Sequence, residues 1–460
     1  MTIQAKNMDQ NTIDELKGLA AEHLWIPYMP LPAYRDPDNV HVYVSGEGCH
    51  ITDAEGKIYL DAFAGLMYKN VGYGRKEIAD AAYAQMLELT SSAQMDVGTV
   101  PAVRLAAKLA EITPGSLSRS FFVSGGTEAN EVAVKAAKQY QQAAGFPNRY
   151  KIIARDGEYH GYSHLAMTLG RADGSLYSVF EPLVPGVRHI PHPYCYRCPL
   201  ELGYPDCGIA CAKDLERVIV QENPKHVAAF LTVAISQQTP IAVPPAEYWP
   251  MIRSICDKYG VLLIDDEVVC GFGRTGKMFG IEQFGVTPDI MTLAKGITSG
   301  YQPLGACITA KEIGDKFIEK GDMFRNVTTF GGLPACCAAG LANIDIIEKE
   351  KLVERTAVIG DYVSEKIKPL ADYPVVGDIR GLGLMWGIEL VKDRKTKEKL
   401  TRMEIFKVTA ALRQEGLITR VDDGIIRFMP PLIISEAEID ESFAIIEKVI
   451  GQMQDGLLAK

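Results

Sequence analysis

The chain has 460 residues, 47% of them hydrophobic and 23% charged. Folding at this length buries about 75% of the unfolded surface, so a core needs no metal or disulfide support, and the mix excludes disorder and collagen-like repeats. A net charge of −10 gives little reason for non-specific binding to nucleic acid or an anionic membrane.

The start, MTIQAKNMDQNTIDELKG, has no charged segment followed by an apolar one, and no run in the chain approaches the ~18 apolar residues of a membrane helix. Scattered cysteines in apolar contexts, such as Cys270, Cys307, Cys336 and Cys337, read as reduced thiols of a cytoplasmic protein. Residues 11–24 read as a short polar helix. An irregular, aromatic, proline-rich stretch follows from Trp25 to Pro37. The segment VHVYVSGEGCHITDAEGKIYLDAFAG alternates apolar and polar residues around turn signals, which predicts antiparallel hairpins.

From about residue 75 the pattern changes. Helical stretches such as EIADAAYAQMLEL and AVRLAAKLAEI alternate with short apolar runs: SFFV (120–123), KIIA (151–154), VAAFLTV (227–233), VLLID (261–265), IMTLA (290–294) and LGACI (304–308). This grammar predicts an α/β fold with a mainly parallel sheet covered on both faces. From about 337 one long helical pattern runs to Ile367. Hairpin grammar returns in RGLGLMWGIEL and IIRFMPPLII, and EAEIDESFAIIEKVIGQM reads as an amphipathic helix. The expected organisation is a small α+β domain built from both termini (1–74 and 337–460) around a large domain (75–336).

Three features carry chemistry. In FFVSGGTEANEVAVKAAK a strand runs into Gly125, Gly126 and Thr127, and a helix begins at once. Free N–H groups at a helix start, glycines allowing close approach and a neighbouring hydroxyl suit an anion. The plainer alternative is a capped turn, with Thr127 capping a box with Asn130. In VLLIDDEVVCGFGRTG, Asp266 and Glu267 end an apolar strand, where ligands meet open α/β sheets. A carboxylate there could hold a metal, act as a base, pair with a protonated ring nitrogen, or simply be solvated. In DIMTLAKGITSG, Lys295 ends a buried run, where desolvation can neutralise an amine into a nucleophile. The alternative is a snorkelling lysine. Taken together, an anion cradle, a carboxylate and an amine suit pyridoxal 5′-phosphate. Tyr159, in Tyr159-His160-Gly161, could stack on its ring. The GxGxxG match at Gly271–Gly276 follows a strand, but no helical pattern opens from it, so a dinucleotide site is not expected.

With Asp266 in IDDEV and Lys295 in AKG, separated by 295 − 266 = 29 positions, the chain resembles the class III (subgroup II) aminotransferases of fold type I, pyridoxal-phosphate-dependent transferases. The resemblance runs from HLWIPYMPL to PPLII. It implies that Lys295 forms the cofactor imine and later shuttles the proton, and that Asp266 pairs with the pyridine nitrogen. Gly125, Gly126 and Thr127 would cradle the phosphate, with Tyr159 on one ring face and Val268 on the other. Thr329, in VTTFGGLP, matches the threonine that reaches the neighbouring subunit's phosphate. A homodimer, or a dimer of dimers, is therefore expected. The family's usual Ser-Gly-His-Pro after that threonine is here Gly331-Gly332-Leu333-Pro334. Asp265 receives no role.

A carboxylate substrate wants a bidentate guanidinium. Arg420 matches the mobile arginine of amine:pyruvate ω-transaminases. Arg427 matches the carboxylate-binding arginine of the ornithine and 4-aminobutyrate branch, and is the preferred candidate. Gln238 stands where that branch carries a screening glutamate. A surface ion pair, such as Arg420 with Asp422 or Asp423, is the alternative. Cys195, Cys198, Cys207 and Cys211 fall in a segment associated with the taurine–pyruvate and ω-amino acid:pyruvate branch. Their spacing fits a structural zinc site, or four reduced thiols in an insertion loop. The expected activity is transfer of an amino group from an ω-amino acid or amine, taurine or β-alanine among the candidates, to pyruvate. A 2-oxoglutarate-dependent aminotransferase, an aminomutase and, least favoured, a non-enzymatic zinc-binding scaffold are the alternatives.

Overall fold

The computed structural model describes residues 8–27, 31–93, 95–171, 178–238 and 241–456. Residues 28–30 of the proline-rich stretch, and 239–240 just after Gln238, lie outside these. The strands in chain order are β1 (Tyr43–Glu47), β2 (His50–Asp53), β3 (Ile58–Asp61), β4 (Leu117–Val123), β5 (Lys151–Arg155), β6 (Val187–Ile190), β7 (Val227–Thr232) and β8 (Leu262–Asp266). Then come β9 (Ile290–Leu293), β10 (Gly305–Ala310), β11 (Val376–Leu382), β12 (Met385–Asp393), β13 (Glu398–Lys399), β14 (Leu417–Ile418), β15 (Val421–Asp422) and β16 (Ile425–Phe428).

The expected α/β sheet is present. Seven strands run in the order β4-β10-β9-β8-β7-β5-β6. The β5–β6, β5–β7, β7–β8 and β8–β9 pairs are parallel, whereas β10 is antiparallel to both β4 and β9. All six apolar runs named from the sequence are strands of this sheet; β6 is an addition.

Alternation along each strand explains why both faces are covered. Ile152, Leu231 and Ile264 pack on one side with Ala129, Val132 and Ala133 of the helix Gly126–Ala143. Ile153, Phe230 and Leu263 point the other way, into a core shared with Leu105, Ile344 and Ile347. Each fully buried side chain of this size contributes about 1.5–3 kcal/mol of transfer free energy.

The predicted N-terminal hairpins form the antiparallel run β1-β2-β3, and β14 completes that sheet by pairing in parallel with β3. A further sheet holds β11-β12-β16-β15, with β13 on β12. The single long helix expected after 337 is two helices, Pro334–Lys349 and Leu352–Ile367. Lys351 breaks it with a left-handed φ of 50°, a break no glycine or proline announces. No helix among the described residues is long and apolar enough to cross a membrane.

Candidate active site

Parallel strands deliver their carboxyl ends to one edge of the sheet. β4, β5, β8 and β9 thus end near Ser124, Arg155, Asp266 and Ala294. Because β10 runs oppositely, its start at Gln302–Leu304 meets the same edge. A cavity of about 310 Å³ lies there, lined by Gly125, Gly126, Thr127, Tyr159, Asp266, Val268 and Lys295 together with Asn130, His160 and Gln237. Seven residues scattered from 125 to 295 in the chain therefore share one space.

The helix Gly126–Ala143 starts at Gly125, whose backbone is extended and supplies no side-chain cap. The Thr127 capping box is therefore not formed. The Thr127 hydroxyl instead accepts from the Tyr162 N–H at 3.4 Å. First-turn N–H groups have no intrahelical acceptor, so an uncapped start leaves them, with the positive end of the helix dipole, for an anion. A Cβ on Gly161 would meet Thr127 Oγ1 at 2.4 Å, and one on Gly126 would meet Val268 at 2.9 Å. The cradle is built around absent side chains.

Asp266 is buried, and its surroundings are donors. Asn130 Nδ2 donates to Oδ2 at 2.9 Å and the Val268 N–H to Oδ1 at 3.0 Å. His160 Nδ1 lies 2.7 Å from Oδ2. Asn130 is itself held by Thr292 Oγ1, which donates to its Oδ1 at 2.9 Å. Neighbouring Asp265 points away from the cavity. It is fully buried, and its side chain meets that of Glu267. Burial, then the charge of Glu267, raises its pKa well above the ordinary carboxylate value.

Lys295 has a left-handed φ of 48°, uncommon outside glycine and a form of strain that collects at functional sites. Among the described residues its amine has no hydrogen-bond or ion-pair partner. Burial lowers its pKa to about 8, Asp266 opposes the shift, and the Arg427 charge adds to it.

The remaining candidates lie elsewhere. Thr329 is exposed and does not line this cavity. Arg427, 2% exposed, and Arg420 share Asp422: Nη2 of Arg427 and Nε of Arg420 lie 3.1 and 2.5 Å from its Oδ2. The Arg420–Asp422 ion-pair alternative is thus present. Arg427 Nε has no hydrogen-bond partner among the described residues. Neither arginine lines the cavity. The Gly271–Gly276 loop opens no helix at its end; its Arg274 is buried against the carbonyl of Leu384 and against Asn70 Oδ1. Sequence reasoning assigned no role to His160 or Gln237, and Asn130 entered only as the partner of Thr127 in the capping-box alternative. Only His160, adjacent to Tyr159, carried a local signal.

The zinc expectation for Cys195, Cys198, Cys207 and Cys211 is not supported. The four thiols border one recess, but no group of three or more His, Cys, Asp or Glu among the described residues is arranged to hold a metal ion. All ten cysteines are free, and burial pushes Cys211 up to about 11. The segment is anchored by other means. Tyr194 and Arg197 reach the buried Glu389 on β12, which also pairs with Arg380 at 2.9 Å. An ionic anchor of this kind ties the segment to β12.

The fold and this edge-of-sheet cavity define a transferase of the pyridoxal-phosphate fold type I kind. Residues 33–450 match the family model described as aminotransferase class III. A taurine–pyruvate aminotransferase of Bilophila wadsworthia is 40% identical over 88% of this chain and 91% of its own. A putrescine–pyruvate aminotransferase of Pseudomonas aeruginosa is 35% identical over 97% and 98%. An (S)-enantioselective ω-transaminase from Thermomicrobium roseum superposes with a TM-score of 0.91 at 39% identity, covering 95% of this chain and 98% of that one. The chain belongs to the class III aminotransferases, enzymes that use pyridoxal 5′-phosphate.

Proposed function

We propose that the enzyme moves an amino group from an ω-amino acid or amine, with taurine or β-alanine as candidate donors, to pyruvate, in two half-reactions at one site. The observation that carries this is the convergence of Lys295, Asp266 and the uncapped Gly125–Thr127 helix start in one cavity. The relatives named taurine–pyruvate and putrescine–pyruvate aminotransferase support the acceptor.

The residues present fit the cofactor. Gly125, Gly126 and Thr127 would bind its phosphate, and Lys295 would hold its aldehyde carbon. Asp266 would bind its ring nitrogen, between Tyr159 and Val268. When bound, the cofactor supplies an electron sink for a carbanion next to nitrogen. The chain does the proton work. Lys295, low in pKa at the cavity wall, takes a proton from the carbon bearing the amino group and returns one across the site. Asp266 would hold positive charge on that ring nitrogen when the cofactor is bound. Arg427, with Arg420 second, binds the acceptor's carboxylate, which replaces Asp422 as the counter-charge.

Thr329 completes the phosphate site from a partner copy in this reading. Its exposure outside its own cavity supports that, as do exposed Met323, Val327 and Phe330 around it. A panel of amine donors offered with pyruvate and with 2-oxoglutarate tests the proposal. Alanine formation from an ω-amino donor is expected. Turnover only with 2-oxoglutarate, or isomerisation without an oxo acid, would refute the acceptor assignment.

A further inference from the structure

Behind Asp266 the side chains alternate in charge over four positions. Arg155 Nε donates to Glu158 Oε1 at 2.7 Å. Glu158 Oε2 lies 3.3 Å from His160 Nε2, and His160 Nδ1 lies 2.7 Å from Asp266 Oδ2. All four side chains are buried. Both ring nitrogens of His160 therefore face carboxylate oxygens. Asp266 otherwise meets only donors, and Glu158 is held by Arg155 and by Thr232 Oγ1, which donates to Oε2 at 3.1 Å. Neither carboxylate is placed to donate, so both contacts are satisfied only when both imidazole nitrogens carry protons. The geometry alone calls for an imidazolium.

The loop carrying Glu158 is fixed as tightly. Its N–H donates to the Gly170 carbonyl at 2.9 Å. A Cβ on Gly170 would sit 2.1 Å from the Glu158 carbonyl oxygen. Arg155 is held over the rings of Tyr248 and Trp249, each 5.6 Å from the guanidinium carbon. Glu158 does not line the cavity.

We infer that Glu158 is a positioning residue for the aminotransferase reaction: backed by Arg155, it fixes His160 as an imidazolium, and His160 aims the Asp266 carboxylate at the ring nitrogen. The inference rests on the proposed function for its catalytic meaning, but not for its existence in the protein. The other ionisable groups facing the chain include Lys295, across the cavity from Asp266, Tyr248 on Arg155, His192 beside Arg155 and Glu158, and the buried Asp265 with its neighbour Glu267. His160 itself is raised to about 9: burial opposes the charge, but the bonds to Asp266 and Glu158 outweigh it.

The test uses the full chain, cofactor-free and loaded, with Glu158→Gln. The amide keeps the shape but can donate to Nε2, which favours neutral imidazole. Histidine NMR of the cofactor-free chain, assigned by loss of the signal in His160→Gln, is expected to show His160 titrating near about 9. Glu158→Gln should lower that midpoint by about one unit or more, a tenfold change in proton affinity. In the loaded enzyme the pH profile of the cofactor absorbance should move with it, and kcat should fall with KM little changed. The pair Arg155→Met/Glu158→Gln, which leaves no orphan guanidinium, should do the same if the single variant folds poorly. An unmoved His160 midpoint overturns the inference. A moved midpoint with an unmoved absorbance profile overturns it too, since the charge would then stop at the imidazole. If the wild-type chain takes up no cofactor, the functional reading fails by itself, and the cofactor-free titration still decides whether Glu158 sets His160.

Discussion

Lys295 offers the sharpest test of the site, because its reactivity is set by how much of its amine is neutral. Burial brings its pKa from 10.5 to about 8. The difference, 10.5 − 8 = 2.5 units, raises the neutral fraction at pH 7 from roughly 1 in 3,000 to roughly 1 in 10, a gain of ~300-fold. Nucleophilic attack on an aldehyde needs that neutral form. Uptake of pyridoxal 5′-phosphate by the cofactor-free protein, followed by stopped-flow absorbance, should therefore accelerate with pH and level off with a midpoint near 8. Asp266 holds the midpoint up by its charge, so Asp266→Asn should move it lower. Lys295→Ala should abolish the covalent band. A rate still climbing at pH 10, as for an ordinary lysine, would refute the reasoning, as would an unchanged band in Lys295→Ala.

Gly161→Ala places a Cβ 2.4 Å from Thr127 Oγ1 at a φ of +135°; a loss of about 1–3 kcal/mol and weaker cofactor binding are expected, and an unchanged Tm would contradict this. Burial and the charge of Glu267 raise the pKa of folded Asp265 above the ordinary carboxylate value, so the native state binds more protons than the unfolded chain above that range and stability falls as pH rises. The denaturation midpoint of Asp265→Asn relative to wild type should therefore climb with pH, whereas a flat difference would show that Asp265 is ionised in the fold. Arg427→Ala should raise KM for the oxo acid about 10- to 100-fold, the scale of a lost charged hydrogen bond, with a smaller rise for Arg420→Ala; the reverse order would reassign the carboxylate to Arg420.

The sequence makes the sheet and the cavity-facing residues legible for one reason. A strand end is a local feature, and Asp266, Lys295 and the Gly125-Gly126 pair each sit at the end of an apolar run. Partnerships across the chain leave no such trace. Asn130 reaches Asp266 over 136 positions, and the sequence shows it only as a local capping partner for Thr127. Glu158 and Arg155 sit in a strand-to-loop junction whose composition looks solvated, yet both are buried because they neutralise each other. The helix break at Lys351 is hidden because a lysine takes the left-handed turn without a glycine to mark it. The four cysteines show the opposite problem: ligand-like spacing is visible in the sequence, while the partners that hold their segment, at Glu389 on β12, lie far along the chain.

The parallel pairing of β14 with β3 has a consequence for biosynthesis. Leu60 N–H bonds to the Gly416 carbonyl at 2.9 Å, and Leu60 registers with Leu417, 417 − 60 = 357 positions later. At roughly 5–20 residues per second, a ribosome needs ~20–70 s to supply that partner. For that interval the β3 edge is an unpaired strand on an emerging chain, open to pairing with another copy. A stop codon between residues 304 and 417 would leave that edge permanently uncovered, even though every residue lining the cavity had already been made.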